Sequence, residues 1–166
     1  MAKKSNRSIL AIVGGLIVVL GVVLSIFIEE LGWWNFKTFL FGEVASSNYL
    51  SVFFADGDPY FADTFTLLLP GIIASIGGIM CITGNRILSF IGSVLVIVGV
   101  VLFLVFLGDS DVSTILSSYL DSNIFFETVG GGDPFSGAKW YLGIGFFMTA
   151  GGGILSLIGA ITASKK

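Results

Sequence analysis

Apolar residues run in long uninterrupted stretches along this chain. Four of them, Ile9 to Ile28, Phe65 to Thr83, Ile87 to Leu107 and Trp140 to Ile161, contain no Asp, Glu, Lys or Arg. A helix needs about 20 mainly apolar residues to cross the hydrocarbon core of a bilayer, so the pattern predicts four transmembrane helices. Lys3, Lys4 and Arg7 precede the first stretch, as in a signal peptide. Its apolar run is too long for a typical h-region and no small-x-small cleavage site follows before Glu29, which marks a retained span.

Only Gly84, Asn85 and Arg86 separate the second and third spans, so these two form a tight helical hairpin. The other connections are long, Glu29 to Thr64 and Gly108 to Lys139. Lys3, Lys4, Arg7, Arg86, Lys165 and Lys166 share the side of the termini and the short turn, while only Lys37 and Lys139 lie opposite. The positive-inside rule then predicts a multi-pass protein of the cell membrane with cytoplasmic termini and extracytoplasmic long loops. All eleven acidic residues fall in those two loops, giving a net −9 outside and +6 inside. Trp33 and Trp34 after the first span, and Trp140 and Tyr141 opening the fourth, are expected to anchor the helices at headgroup level.

Composition agrees with the pattern. Of 166 residues, 55% are hydrophobic and 11% charged, and mean hydropathy is +1.00. Soluble domains carry roughly 25% charged residues, and a chain of this size has no core large enough to hide so much apolar surface. The chain has no histidine and one cysteine, Cys81. Histidine-based triads and relays, a disulfide within the chain and a zinc ribbon are thereby excluded. A net charge of −3 argues against nucleic acid as a partner. No cofactor is expected.

The chain also repeats itself. Residues 9–24 and 87–102 are identical at eight of sixteen positions, including Gly14 with Gly92 and Gly21 with Gly99. Ser46-Ser47-Asn48-Tyr49-Leu50 is answered by Ser117-Ser118-Tyr119-Leu120, and Gly57-Asp58-Pro59 by Gly132-Asp133-Pro134. Gly77-Gly78-Ile79 matches Gly152-Gly153-Ile154. The expected fold is an all-α membrane protein, a four-helix bundle made by tandem duplication of a two-span unit. Its units are residues 1–83 (spans 9–28 and 65–83, outer loop 29–64) and 84–166 (spans 87–107 and 140–161, outer loop 108–139). Each unit has an even number of spans, so the copies should be related by a pseudo-two-fold axis along the membrane normal.

Val112, Ile115, Leu116, Tyr119, Leu120 and Ile124 recur at helical spacing, which predicts an amphipathic helix in the second outer loop. The first loop holds an aromatic run from Trp33 to Phe41 and a weaker copy of that helix near Ala45 to Phe54. Pro70 inside the second span predicts a local kink. In the fourth span Gly145, Thr149 and Gly153 share one four-residue register, and Gly152, Ser156 and Ala160 another. Such rows let helices approach closely, either within the bundle or against a partner helix. Asp56, Asp58, Asp63 and Asp133 supply oxygens suited to a hard cation, but their spacing fits no EF-hand and Asp-Pro ordinarily starts a turn.

In layout, four spans with sizeable outer loops, the chain resembles claudins and tetraspanins. The claudin Gly-Leu-Trp motif with its paired loop cysteines and the tetraspanin Cys-Cys-Gly are absent, so the resemblance implies no site residue here. Catalysis has no nucleophile, base or cofactor site to stand on. The expected function is a structural or accessory subunit that binds other membrane proteins, or further copies of itself, through its glycine-rich faces and its acidic, aromatic loops. The alternative is a small transporter, channel or lipid-handling protein, although intramembrane charges ordinarily mark such pathways.

Overall fold

The computed structural model describes residues 7–28, 31–40, 43–50, 64–109, 126–130 and 136–163. Among these residues, four helices and four strands follow one another: α1 (Ile9–Phe27), β1 (Trp34–Leu40), β2 (Glu43–Leu50), α2 (Thr64–Ile82), α3 (Arg86–Gly108), β3 (Phe126–Gly130), β4 (Ser136–Leu142) and α4 (Ile144–Thr162). Three helices, α1, α3 and α4, are long and apolar enough to cross a membrane, and α2 carries an apolar stretch over Leu69–Ile82.

Local chemistry sets the helix ends. Ser8 caps α1 by accepting from the Ala11 amide at 3.2 Å, which satisfies one of the donors left open at a helix start. Asn85 does the same for α3, accepting from the amides of Ile87 and Leu88 at 3.0 and 3.4 Å. Between α2 and α3, Gly84 takes φ +66°, a left-handed conformation that a residue with a Cβ adopts only at a cost. Its amide donates to the Cys81 carbonyl at 3.1 Å, closing the hairpin. Pro70 lies inside α2 and the helix runs through it.

The helices form a ring. α1 packs on α4 and α2, α3 packs on α2 and α4, and the diagonals scarcely touch. Small residues make these contacts. A Cβ on Gly14 would lie 2.6 Å from the Gly152 carbonyl oxygen, and one on Gly77 2.5 Å from that of Gly92. Backbones therefore approach closely, as small-residue rows allow. The centre is filled by Val18, Val22, Val96, Val100 and Phe103, with Ala74 on α2.

The outer segments differ from the all-α expectation. β1 to β4 form one antiparallel sheet in the order β2-β1-β4-β3. Residues 45–50, expected to be helical, lie in β2. Helical spacing there is an accident of Ala45, Tyr49 and Leu50. Ser46, Ser47 and Asn48 are weak helix formers that compete for the backbone, and β1, rich in aromatics suited to strands, offers a ladder partner. The amphipathic helix expected from Val112 to Ile124 lies outside the described residues.

The fourth helix also starts later than expected, at Ile144, because residues 140–142 belong to β4. Here the aligned segments differ. The matched pairs Gly77/Gly152 and Gly78/Gly153 place Thr64 to Leu67 opposite Lys139 to Leu142, yet the former are helical and the latter extended.

Candidate functional site

The rows of small residues turn inward. Gly145, Thr149, Gly152, Gly153, Ser156 and Ala160 are all buried within the bundle. Gly21 meets Thr149 and Gly145, Gly14 meets Ser156 and Gly152, and Val96 of α3 meets Gly153. The Ser156 hydroxyl donates across the interface to the Ala11 carbonyl at 3.0 Å, and Thr149 donates to its own Gly145 carbonyl at 2.8 Å. Of the two readings the spacing allows, packing within the bundle is the one seen: these faces meet α1 and α3. On the opposite side of α4, Gly151 is exposed, and a Cβ there would meet nothing within 4 Å.

Cys81 is buried too. Its sulfur approaches the Ser93 hydroxyl at 3.6 Å and the Ser89 carbonyl at 3.5 Å, while Ser89 donates back to the Cys81 carbonyl at 3.2 Å. These contacts lace α2 to α3 beside their turn.

What projects from the ring is the sheet. β1 continues from α1 and β4 leads into α4, so the pairing Trp34↔Leu142 sits at the base, beside the helix ends. The Gly143 amide donates to the Trp33 carbonyl at 3.0 Å, fastening the start of α4 to the chain leaving α1. Only glycine fits there. A Cβ on Gly143 would strike the Gly32 carbonyl oxygen and come within 2.6 Å of Asn35 Nδ2.

The tryptophans form the floor of this junction. Trp33, Trp34 and Trp140 are each 0% exposed. Trp33 stands edge-on to Phe103 and Phe146, with ring centroids at 5.0 and 5.9 Å. The three tryptophans expected at headgroup level belong to the buried core cluster, with Phe103, Leu107 and Phe146 of the helices. Tyr141 alone of the four stays half-buried. Sequence reasoning missed Asn35, which is fully buried with neither Nδ2 nor Oδ1 bonded; the Trp33 indole nitrogen is likewise unbonded.

Higher in the sheet, Lys37 of β1 and Lys139 of β4 are directly opposed, flanked in register by Ser47 and Thr128. Lys139 is exposed, and its Nζ lies 5.4 Å from the centre of the Tyr141 ring. Lys37 is half-buried.

Asp56, Asp58, Asp63 and Asp133 lie outside the described residues, as do Glu29 and Glu30. Asp109 is the cap at the end of α3, with its amide bonded to the Val105 carbonyl at 3.0 Å. Among the described residues, no cluster of three or more His, Cys, Asp or Glu could hold a metal ion. No protein-family model matches the chain, and no curated protein matches it in sequence.

Proposed function

We propose that all four helices cross the membrane and that the protein is a structural or accessory subunit, with the outer sheet and its acidic loops as the partner-binding surface. Both termini and the α2–α3 turn face the cytoplasm in this reading, following the basic residues. The two halves descend from one duplicated two-span unit, and β4 is a later departure of the second half.

One observation carries the reading. The small-residue faces of the helices are turned on each other, and Val18, Val22, Val96, Val100 and Phe103 fill the space they enclose. A bundle closed in this way is a rigid platform. Its lipid-facing side presents large apolar residues such as Leu16, Leu20, Val98, Val101 and Ile154. Shape and charge for recognition are concentrated in the sheet and loops.

The test is photo-crosslinking in native membranes. A photoreactive residue at Glu43 in edge strand β2 or Glu127 in edge strand β3 should capture one identifiable chain, another membrane protein or a second copy. The same group at Gly151 should capture lipid. A monomer that is never crosslinked at the sheet, and that conducts or transports a solute in liposomes, would overturn the subunit reading in favour of transport.

A further inference from the structure

Three parts of the chain meet at the end of the bundle away from the sheet. The Ser8 amide donates to the Gly84 carbonyl at 3.0 Å, and the Ser8 hydroxyl donates to the Gly159 carbonyl at 2.8 Å. The segment entering α1, the α2–α3 turn and the last turn of α4 are thereby fastened together. Arginines flank these bonds. Arg7 lies over the turn, since a Cβ on Gly84 would come within 3.2 Å of the Arg7 Cβ. Arg86 follows Gly84 by two residues, and consecutive Cα atoms are about 3.8 Å apart, so its Cα lies within about 8 Å of that of Gly84. Both side chains are long enough to meet at one group between them. Arg7 is exposed, Arg86 is half-buried, and among the described residues neither has an ion-pair partner.

The charge at this end is not balanced by the chain itself. α1 and α3 start here while α2 and α4 finish here, so the helix dipoles cancel and the side chains set the sign. Lys3, Lys4, Arg7, Arg86, Lys165 and Lys166 all belong to segments at this end. Every acidic side chain belongs to residues 29–63 or 109–133, which leave the helices at their other ends. Helices of 19 to 23 residues hold the two ends about 30 Å apart. Across a bilayer, no acidic side chain reaches Arg7 or Arg86.

We propose that Arg7 and Arg86 form a binding site for the phosphate of an anionic phospholipid, in the leaflet on the side of the α2–α3 turn. The proposal rests on the bundle crossing the membrane and is independent of any protein partner. Guanidinium forks match phosphate oxygens pairwise. Ile9, Ile87 and Leu88 are exposed beside the arginines, in the first turns of α1 and α3. A free phosphate would use the arginines alone, whereas a lipid lays its acyl chains on these apolar residues as well. A zwitterionic lipid offers the same phosphate with its charge already balanced, and gains much less. Orientation in the membrane needs only positive charge, which lysine supplies equally. The fixed placement of two arginines over one turn is what makes a site.

The test measures thermal stability of the purified full chain in neutral detergent with added phosphatidylglycerol, phosphatidylcholine or inorganic phosphate. Phosphatidylglycerol should raise Tm at concentrations where the other two do not, and native mass spectrometry should show it retained. Arg7→Gln with Arg86→Gln should weaken the apparent lipid affinity about 30-fold, taking about 1 kcal/mol per arginine at about 1.4 kcal/mol per factor of ten. Arg7→Lys with Arg86→Lys should recover only part of it, because an ammonium lacks the planar fork. Lys37→Gln with Lys139→Gln, at the other end, should leave it unchanged. If the Gln pair fails to fold, the Lys pair and the additives still decide. An equal response to phosphatidylcholine or inorganic phosphate would overturn the lipid assignment, and an unchanged response in the Gln pair would overturn the site. Full retention by the Lys pair, or an equal loss in Lys165→Gln with Lys166→Gln, would replace the site with a diffuse basic field. Failure of the spanning reading shows separately, as labelling of Ser5→Cys and Ser47→Cys from the same side of intact cells.

Discussion

Gly151 and Gly152 are neighbours on α4 with opposite surroundings, and they make the packing argument testable at single residues. A Cβ on Gly152 would lie 2.7 Å from the Gly14 carbonyl oxygen, which is backbone and has no room to retreat, whereas one on Gly151 would meet nothing within 4 Å. Gly152→Ala should lower Tm, by about 1–3 kcal/mol of overpacking. Gly151→Ala should be neutral or raise it, since alanine is favoured over glycine inside a helix by up to about 1 kcal/mol. Thermal unfolding of both in one detergent checks the pair, and equal losses would sink the inward assignment of the row. The four-residue registers of α4 were visible in the sequence because spacing alone reveals them. Their direction was not, since a stripe has no sign until its neighbour is known. Asn35 is a second case. Its amide is buried and unbonded beside Gly143, so Asn35→Leu should stabilise, relieving part of a penalty of about 1–3 kcal/mol for an unpaired buried polar group. A lower Tm for that variant would mean that the amide is bonded in the bilayer.

Elements were legible in proportion to how strongly lipid constrains them. A membrane demands about 20 unbroken apolar residues, so the helix bounds came within a few residues of the sequence reading, apart from Trp140 to Leu142. The strands left a weaker mark. Trp34 to Leu40 and Ser136 to Leu142 look like interfacial aromatics until a partner strand is found, and the register Trp34↔Leu142 joins positions far apart in the chain. Ser46, Ser47 and Asn48 carried the signal against helix in β2, in their preference for bonding to nearby backbone. The α2–α3 hairpin, by contrast, was local and plain. Gly84→Ala should cost about 1–2 kcal/mol for the left-handed backbone, and Asn85→Ala about 0.5–2 kcal/mol for the lost cap. Both should appear as reduced Tm, with Gly84→Ala further penalised by Ile12, whose Cδ1 lies 2.8 Å from the new Cβ.

For the whole molecule, the proposed orientation rests on six basic residues on one side against two on the other. In a Cys81→Ala background, Ser5→Cys should be labelled only after permeabilisation, while Ser47→Cys and Ser136→Cys should react from outside intact cells. External labelling at Ser5→Cys would reverse the topology. The proposed duplication rests on matched glycines and loop motifs. The ring of helices is compatible with it, because exchanging α1 with α3 and α2 with α4 leaves the same neighbours in contact. The sheet is where the proposed copies differ, since the extended residues of β4 align with a helical stretch of α2. Extended backbone here gains ladder bonds from β1.

The contact between α1 and α4 has a consequence for how the chain is made. The Ser156 hydroxyl reaches the Ala11 carbonyl across 145 positions of sequence, and β1 pairs with β4 over 96 to 108 positions. The first helix leaves the ribosome long before its main neighbour exists. During synthesis its face of Gly14, Val18 and Gly21 stands open in the bilayer, guarded only by α2 on the adjoining side. The ring and the sheet close together, at the arrival of the last span. Before that moment the young protein presents a helix face shaped for α4, and any membrane chaperone acting on it should act there, on a surface the finished molecule conceals.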